Sequence, residues 1–164
     1  MKRVPRHKYF SSLILLFVIG LCMACDKQSV YHTFQTLPIE GWPQKDTLTF
    51  NVPVTDSMVL YNIFLEVRNR NNYPYQNLPL ILYVDGPDAS ILKTDTLQLA
   101  LADKNGVWQG NGWGGLYQSS VPAGNIYIKK TGQYKIRIAY SFSDKKLSGI
   151  NDIGINIKKS YGLE

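Results

Sequence analysis

Apolar and polar side chains alternate at every second position through most of this chain, in short runs separated by clusters of turn-forming residues. Leu48, Phe50, Val52 and Val54 fall on one face and Thr47, Thr49 and Asn51 on the other, the period of a half-buried strand. Pro53 cannot donate a ladder hydrogen bond, which places that strand at a sheet edge or near its own end. Tyr61, Ile63, Leu65 and Val67 alternate with Asn62, Phe64, Glu66 and Arg68 in a longer strand that stops at the turn-rich loop Asn69 to Pro74. Leu78 to Asp85 forms the next strand, broken by Gly86-Pro87-Asp88. Ile91, Leu97, Leu99 and Leu101 share a face between Ser90 and Ala102; Leu and Ala also suit a helix over Asp95 to Ala102, but the period of two favours a strand.

Asp103-Lys104-Asn105-Gly106 is a strong turn signal. Tyr117 to Lys130 reads as a loop leading into a short strand at Ile126-Tyr127-Ile128. Beyond Thr131-Gly132, Tyr134, Ile136, Ile138, Tyr140 and Phe142 alternate with Lys135, Arg137 and Ala139, and Ser148-Gly149 precedes Ile150, Ile153, Ile155 and Ile157. Towards the N-terminus, Val30, His32 and Phe34 alternate against Tyr31 and Thr33 in a short first strand, before Pro38 and Pro43 interrupt. No segment keeps a helical period over three turns. The pattern predicts an all-β fold: a single antiparallel two-sheet β-sandwich, immunoglobulin-like or jelly-roll-like, over residues 46–164, preceded by a tether and short first strand over residues 25–45.

Residues 1–24 follow a different rule. Lys2, Arg3, Arg6 and Lys8 make a basic start, and Tyr9 to Met23 is an apolar stretch too short to span a bilayer comfortably. It ends in Leu21-Cys22-Met23-Ala24-Cys25, with a small residue before Cys25 and polar Asp26-Lys27-Gln28-Ser29 after it. This is the layout of a bacterial lipoprotein signal: the Cys25 sulfur takes a diacylglycerol, cleavage frees its amino group, and the added acyl chains, palmitate among them, anchor the chain. Cys22 follows Leu21 and is an apolar residue of the signal. The competing readings are an ordinary cleaved signal and an uncleaved single anchor, both of which still export the domain.

Loss of that segment lowers the formal charge from +6 to +2 and leaves about 140 residues, enough for one domain with its own core. Cys25 is then the only cysteine, so no intrachain disulfide forms. The residual charge is too small and too dispersed for a nucleic-acid face. Lys129-Lys130 and Lys158-Lys159 read as charges that discourage pairing at strand edges.

Catalytic sets are absent from the pattern. His32 has no second His or Cys at ligand spacing, which argues against zinc, and no Gly-x-Ser-x-Gly elbow occurs. Glu66, Asp85, Asp88, Asp95 and Asp152 are the carboxylates a glycoside hydrolase would draw on, but Asp85 and Asp88 read as caps of the Gly86-Pro87 turn. The chain is therefore read as non-enzymatic, with no cofactor beyond its covalent lipid and no small-molecule substrate. Val107 to Leu116 holds two tryptophans and four glycines. Functionally, Trp108 and Trp113, together with Tyr73 and Tyr75 of the earlier loop, are candidate partner-binding residues, since aromatics anchor interfaces and stack on sugars. Structurally, Trp108 would plug one end of the sandwich while the glycines permit bulges and close strand contact.

Val30-Tyr31-His32-Thr33-Phe34 after the Cys25-Asp26 pair, Leu65 to Leu78 with its Asn-rich centre, Thr94-Asp95-Thr96-Leu97, Gly106-Val107-Trp108-Gln109-Gly110-Asn111-Gly112 and Ile150-Asn151-Asp152-Ile153-Gly154-Ile155 together resemble the gliding-motility lipoprotein family GldH. The resemblance spans nearly all of the mature chain. It implies a cell-envelope lipoprotein needed for surface gliding, in a system tied to a secretion apparatus, with Cys25 as the one functional residue carried over. Lipidation at Cys25 points to a membrane leaflet of the envelope, the outer membrane facing the periplasm, while Asp26 beside the lipidated cysteine favours inner-membrane retention under rules from other bacteria, so the choice of membrane stays open. On this basis the chain is expected to scaffold or stabilise other envelope or motility proteins. The alternative is a surface glycan-binding lipoprotein that uses its aromatic loops.

Overall fold

A computed structural model describes residues 28–160 of the chain. Eleven strands and no helix occupy these residues: β1 Ser29–Thr36, β2 Trp42–Pro43, β3 Leu48–Val54, β4 Val59–Arg70, β5 Asn77–Asp85 and β6 Ile91–Ala100, followed by β7 Asn111–Trp113, β8 Leu116–Ile128, β9 Gly132–Tyr140, β10 Lys146–Leu147 and β11 Ile150–Lys159. They form a five-stranded sheet in the order β1-β11-β4-β8-β7, a four-stranded sheet in the order β3-β9-β5-β6, and a small pair β10-β2. All pairings between strands are antiparallel. The all-β expectation holds, but the sheets number three rather than two.

Alternation decides which side chains enter the core. Phe50, Val52 and Val54 of β3, Leu78, Leu80, Leu82 and Val84 of β5, and Tyr134, Ile136, Ile138 and Tyr140 of β9 are buried, with Thr49, Asn51, Gln133 and Lys135 left outside. Tyr61, Ile63, Leu65 and Val67 of β4 and Ile153, Ile155 and Ile157 of β11 join them in one continuous cluster, so both large sheets share a single core. The short pair β2 and β10 adds Trp42 and Leu147, both fully enclosed. Trp42 Nε1 donates to the Asp46 carbonyl at 2.9 Å, so the buried indole leaves no unpaired donor.

Three local expectations change. Tyr117 to Asn125 is strand, not loop: β8 runs for 13 residues along β4. It absorbs one extra residue in a bulge, where Ala123 and Gly124 face the single residue Ile63. Lys158 and Lys159 lie on β11, an interior strand between β1 and β4, and are not edge charges; Lys158 stands over the Phe64 ring and Lys159 Nζ pairs with Asp56 Oδ2 at 2.8 Å. Lys129 and Lys130 lie in the turn between β8 and β9. Other readings hold: Asp95 to Ala100 is strand, and Pro53 sits on the edge strand β3.

The register gives the molecule two distinct ends. Ser29 pairs with Lys158, Val59 with Ile128, Val54 with Gly132 and Asp85 with Ile91, so the start of β1, the end of β11 and the loops 55–58, 86–90 and 129–131 gather at one end. Thr36 pairs with Asp152, Arg70 with Leu116 and Asn77 with Ala100, which puts the loops 37–47, 71–76, 101–110 and 141–149 and the turn between β7 and β8 at the other.

Candidate functional site

The second of these ends carries the aromatic residues singled out from the sequence. Between β4 and β5 the chain turns tightly, with the Tyr73 amide donating to the Arg70 carbonyl at 3.1 Å and the Tyr73 hydroxyl donating to the Asn77 carbonyl at 2.8 Å. Tyr73 is thereby buried, and burial, with Tyr75 and Asp144 adding, pushes its phenol far above the ordinary value. Tyr75 meets Tyr73 edge-on at 5.8 Å between ring centroids and stacks on Phe142 at 4.4 Å. Its hydroxyl donates to Asp144 Oδ2 at 2.5 Å, and that bond raises the Tyr75 pKa as well. The Tyr140 hydroxyl lies between the carbonyls of Trp42 at 3.1 Å and Asp144 at 2.9 Å, which ties the 141–145 loop to the core.

Trp108 joins the same cluster, 6.3 Å from Tyr73 and 6.1 Å from Tyr117 between ring centroids, and is only partly exposed. It is held there by an isolated bridge between Ala102 and Trp108. The turn before it forms as expected: Asp103 Oδ1 accepts the amides of Asn105 and Val107 at 2.8 and 2.9 Å.

Trp113 stands apart. It closes β7, and a two-residue turn, Gly114-Gly115, returns the chain to Leu116 with φ of +62° and +83°. Two successive left-handed residues are what a type I′ hairpin requires, and glycine takes them without strain. The consequence is a tryptophan 93% exposed at the tip of a hairpin. Beside it, Arg70, Asn71, Asn72, Asn151 and the turn glycines line an open recess of about 440 Å³. Of the four aromatic candidates, the structure therefore gathers Tyr73, Tyr75 and Trp108 into one packed cluster and presents Trp113 to solvent. Cys25, the candidate lipid-attachment residue, lies outside the described residues.

Comparison with known proteins settles what this arrangement belongs to. The family described as GldH lipoprotein matches residues 29–157. A gliding motility lipoprotein GldH homolog of Christiangramia forsetii is 32% identical over 159 residues, covering 92% of this chain and 96% of its own. Gliding motility lipoprotein GldH of Flavobacterium johnsoniae is 32% identical over 160 residues, covering 91% and 96%. The chain belongs to the GldH lipoprotein family. Among solved structures, the EclA C-terminal domain, titled a sugar-binding protein, aligns over 86% of this chain and 85% of its own with 15% identity and a TM-score of 0.38, too low to carry an argument.

Membership makes this GldH-family chain a lipoprotein of a motility-associated family, anchored at an envelope membrane. The candidate carboxylates Asp85, Asp88, Asp95 and Asp152 are each engaged in the fold. Asp88 accepts from the Ser90 amide and hydroxyl and caps the turn, whereas Asp85, expected to do the same, instead receives Arg137 Nε at 2.6 Å and Nη2 at 2.9 Å. That guanidinium holds the Asp85 carboxyl below the usual aspartate range. Lys93 pairs with Asp95 at 3.5 Å, and Asp152 accepts from Thr36 Oγ1 and Asn151 Nδ2, both at 2.7 Å. No group of three His, Cys, Asp or Glu among the described residues could hold a metal.

One feature of the domain had no clear signal in the sequence. Glu66, on the outer face of the five-stranded sheet, is only 4% exposed, and His32 Nε2 (3.2 Å), Gln118 Nε2 (3.1 Å) and Asn156 Nδ2 (3.4 Å) converge on its carboxylate. Arg68 lies 3.9 Å over the Phe34 ring and donates to Gln118 Oε1, extending the network across four strands. His32 is the one member whose ring reaches solvent substantially.

Proposed function

We propose that this GldH-family lipoprotein is a non-catalytic scaffold: the Cys25 lipid holds it to the periplasmic face of the outer membrane, and its aromatic end engages another protein of a motility or secretion-linked envelope assembly. Residues 1–24 act as the cleaved signal, and the two large sheets form a sandwich that the β2-β10 pair closes at the partner-facing end. The observation that carries this reading is Trp113, 93% exposed on a hairpin at the end of the molecule opposite the start of β1. A large aromatic held at the tip of a two-stranded ribbon loses little conformational freedom on binding, and tryptophan is enriched among residues that dominate interface energy.

The test is a pull-down of the lipidated chain from crosslinked native membranes, comparing the parent with Trp113→Ala. Trp113 is 93% exposed and touches no other ring among the described residues, so its removal leaves the fold intact, whereas Trp108→Ala opens the Tyr73-Tyr117 cluster. Envelope partners retained by the parent and lost by Trp113→Ala support the proposal; identical partner sets sink it. The polar recess formed by Arg70, Asn71, Asn72 and Asn151 beside the same hairpin favours a second reading, capture of a glycan by amide hydrogen bonds and Trp113 stacking. Protease added to intact cells separates the two, since a domain it cannot reach cannot capture an external glycan.

A further inference from the structure

The opposite end of the molecule has a character of its own. Among the described residues, Met58 (67% exposed), Ile91 (62%), Leu92, Tyr127 and Val30 are the large apolar side chains left open there; the Tyr127 hydroxyl reaches Met58 Sδ at 3.7 Å, Tyr127, Leu92, Ile126 and Pro87 line one open groove of about 600 Å³, and Ile91 precedes Leu92 at the start of β6. Lys129 and Lys130 border the same groove, along with Ser90, Thr131 and Asp88, whose carboxylate serves the turn. Among the described residues, the other acids at this end are engaged, Asp56 by Lys159 and Asp85 by Arg137. Exposed apolar side chains flanked by lysines form the surface that suits the boundary between headgroups and acyl chains.

The tether fixes what lies against it. Three residues, Asp26 to Gln28, separate Cys25 from the first residue of β1, and Ser29 pairs with Lys158 at this end. Four chain steps span at most about 14 Å, while β4 alone extends about 40 Å. A lipid on Cys25 therefore keeps this end within headgroup distance and holds the hairpin end away.

We infer that the strand end carrying Met58, Ile91, Leu92 and Tyr127 docks on the bilayer surface itself, with these side chains at the acyl boundary and Lys129 and Lys130 against anionic headgroups. This rests on the lipid-anchor reading of Cys25. The domain then stands on the membrane in one orientation instead of swinging on its tether.

The experiment uses the lipidated full chain in vesicles of phosphatidylethanolamine and phosphatidylglycerol, with one environment-sensitive dye on Met58→Cys, Leu92→Cys or, at the far end, Lys104→Cys. All three positions are exposed, so labelling spares the core. The expected result is that aqueous iodide quenches the dyes at 58 and 92 several-fold less than the dye at 104, and that lipids brominated along the acyl chain quench only the first two. Protein that co-sediments with vesicles but shows equal iodide access at all positions overturns the docking and leaves the anchor standing. Failure to co-sediment overturns the anchor and the docking with it. Protection at 58 and 92 that persists in detergent without quenching by brominated lipid points to contact between copies and also overturns the inference. Lys129→Glu with Lys130→Glu is expected to restore iodide access at 92 on anionic vesicles and to change nothing on phosphatidylcholine; no change on either removes the lysines from the docking.

Discussion

Glu66 shows at the residue scale how a polar side chain becomes structural. Its position opposite the core was legible in the alternation along β4, but its burial was not, because His32, Gln118 and Asn156 reach it from other strands. Glu66→Ala strands the donors of Gln118 and Asn156 and is expected to cost about 1–3 kcal/mol in urea unfolding, whereas Glu66→Gln, which keeps an acceptor, costs less. Asp85 sets a pH response. Arg137 depresses its folded pKa below the ordinary 3.8, so the pair stabilises the fold fully above that value and loses its contribution as pH falls towards the folded one. Asp56, through Lys159, and Asp88, through Ser90, shift the same way. Thermal melts should therefore show Tm falling below about pH 4, and Asp85→Asn should lower Tm at neutral pH while flattening that fall without abolishing it. The two tryptophans of the glycine-rich segment look alike in sequence. Only the partner rings Tyr73 and Tyr117, brought in from β5's approach and from β8, separate a packed Trp108 from a free-standing Trp113.

Elements were readable where apolar residues alternated and unreadable where they did not. β3, β4, β5, β9 and β11 follow the period of two, but the middle of β8 reads Gln118-Ser119-Ser120-Val121-Pro122-Ala123-Gly124-Asn125, a composition of turns that becomes strand because β4 offers a full-length pairing edge. Trp42 escaped notice for a related reason: the two-residue strand that buries it is too short to have a period. Glycines at the loop end make a sharper prediction. Gly149 sits at φ +83° with Tyr73 Cα only 2.4 Å from where a Cβ would stand, while Gly114, at φ +62°, has open space around it. Gly149→Ala should cost roughly 2–4 kcal/mol and disturb the Tyr73 cluster, visible as altered near-ultraviolet dichroism; Gly114→Ala should cost about 1 kcal/mol, the left-handed strain alone.

For the whole molecule, the single core shared by the two large sheets predicts one cooperative transition, with tryptophan fluorescence and far-ultraviolet dichroism melting together. β1 belongs to that unit because it pairs with β11 from Ser29 to Thr36. A chain begun at Gln28 is expected to fold as a monomer, and one begun at Asp46 to leave β11 as a bare edge and associate on gel filtration. Family and all-β class were legible in motifs and periodicity; the separation of the molecule into an apolar-lysine end and an aromatic end was not, since it depends on register. That separation has a mechanical meaning. Under the proposed anchoring and partner binding, traction between a lipid beneath Ser29 and a partner gripping Trp113 would run parallel to the strands, so the β1-β11 and β4-β8 ladders would resist in shear, every hydrogen bond sharing the load at once instead of unzipping one after another.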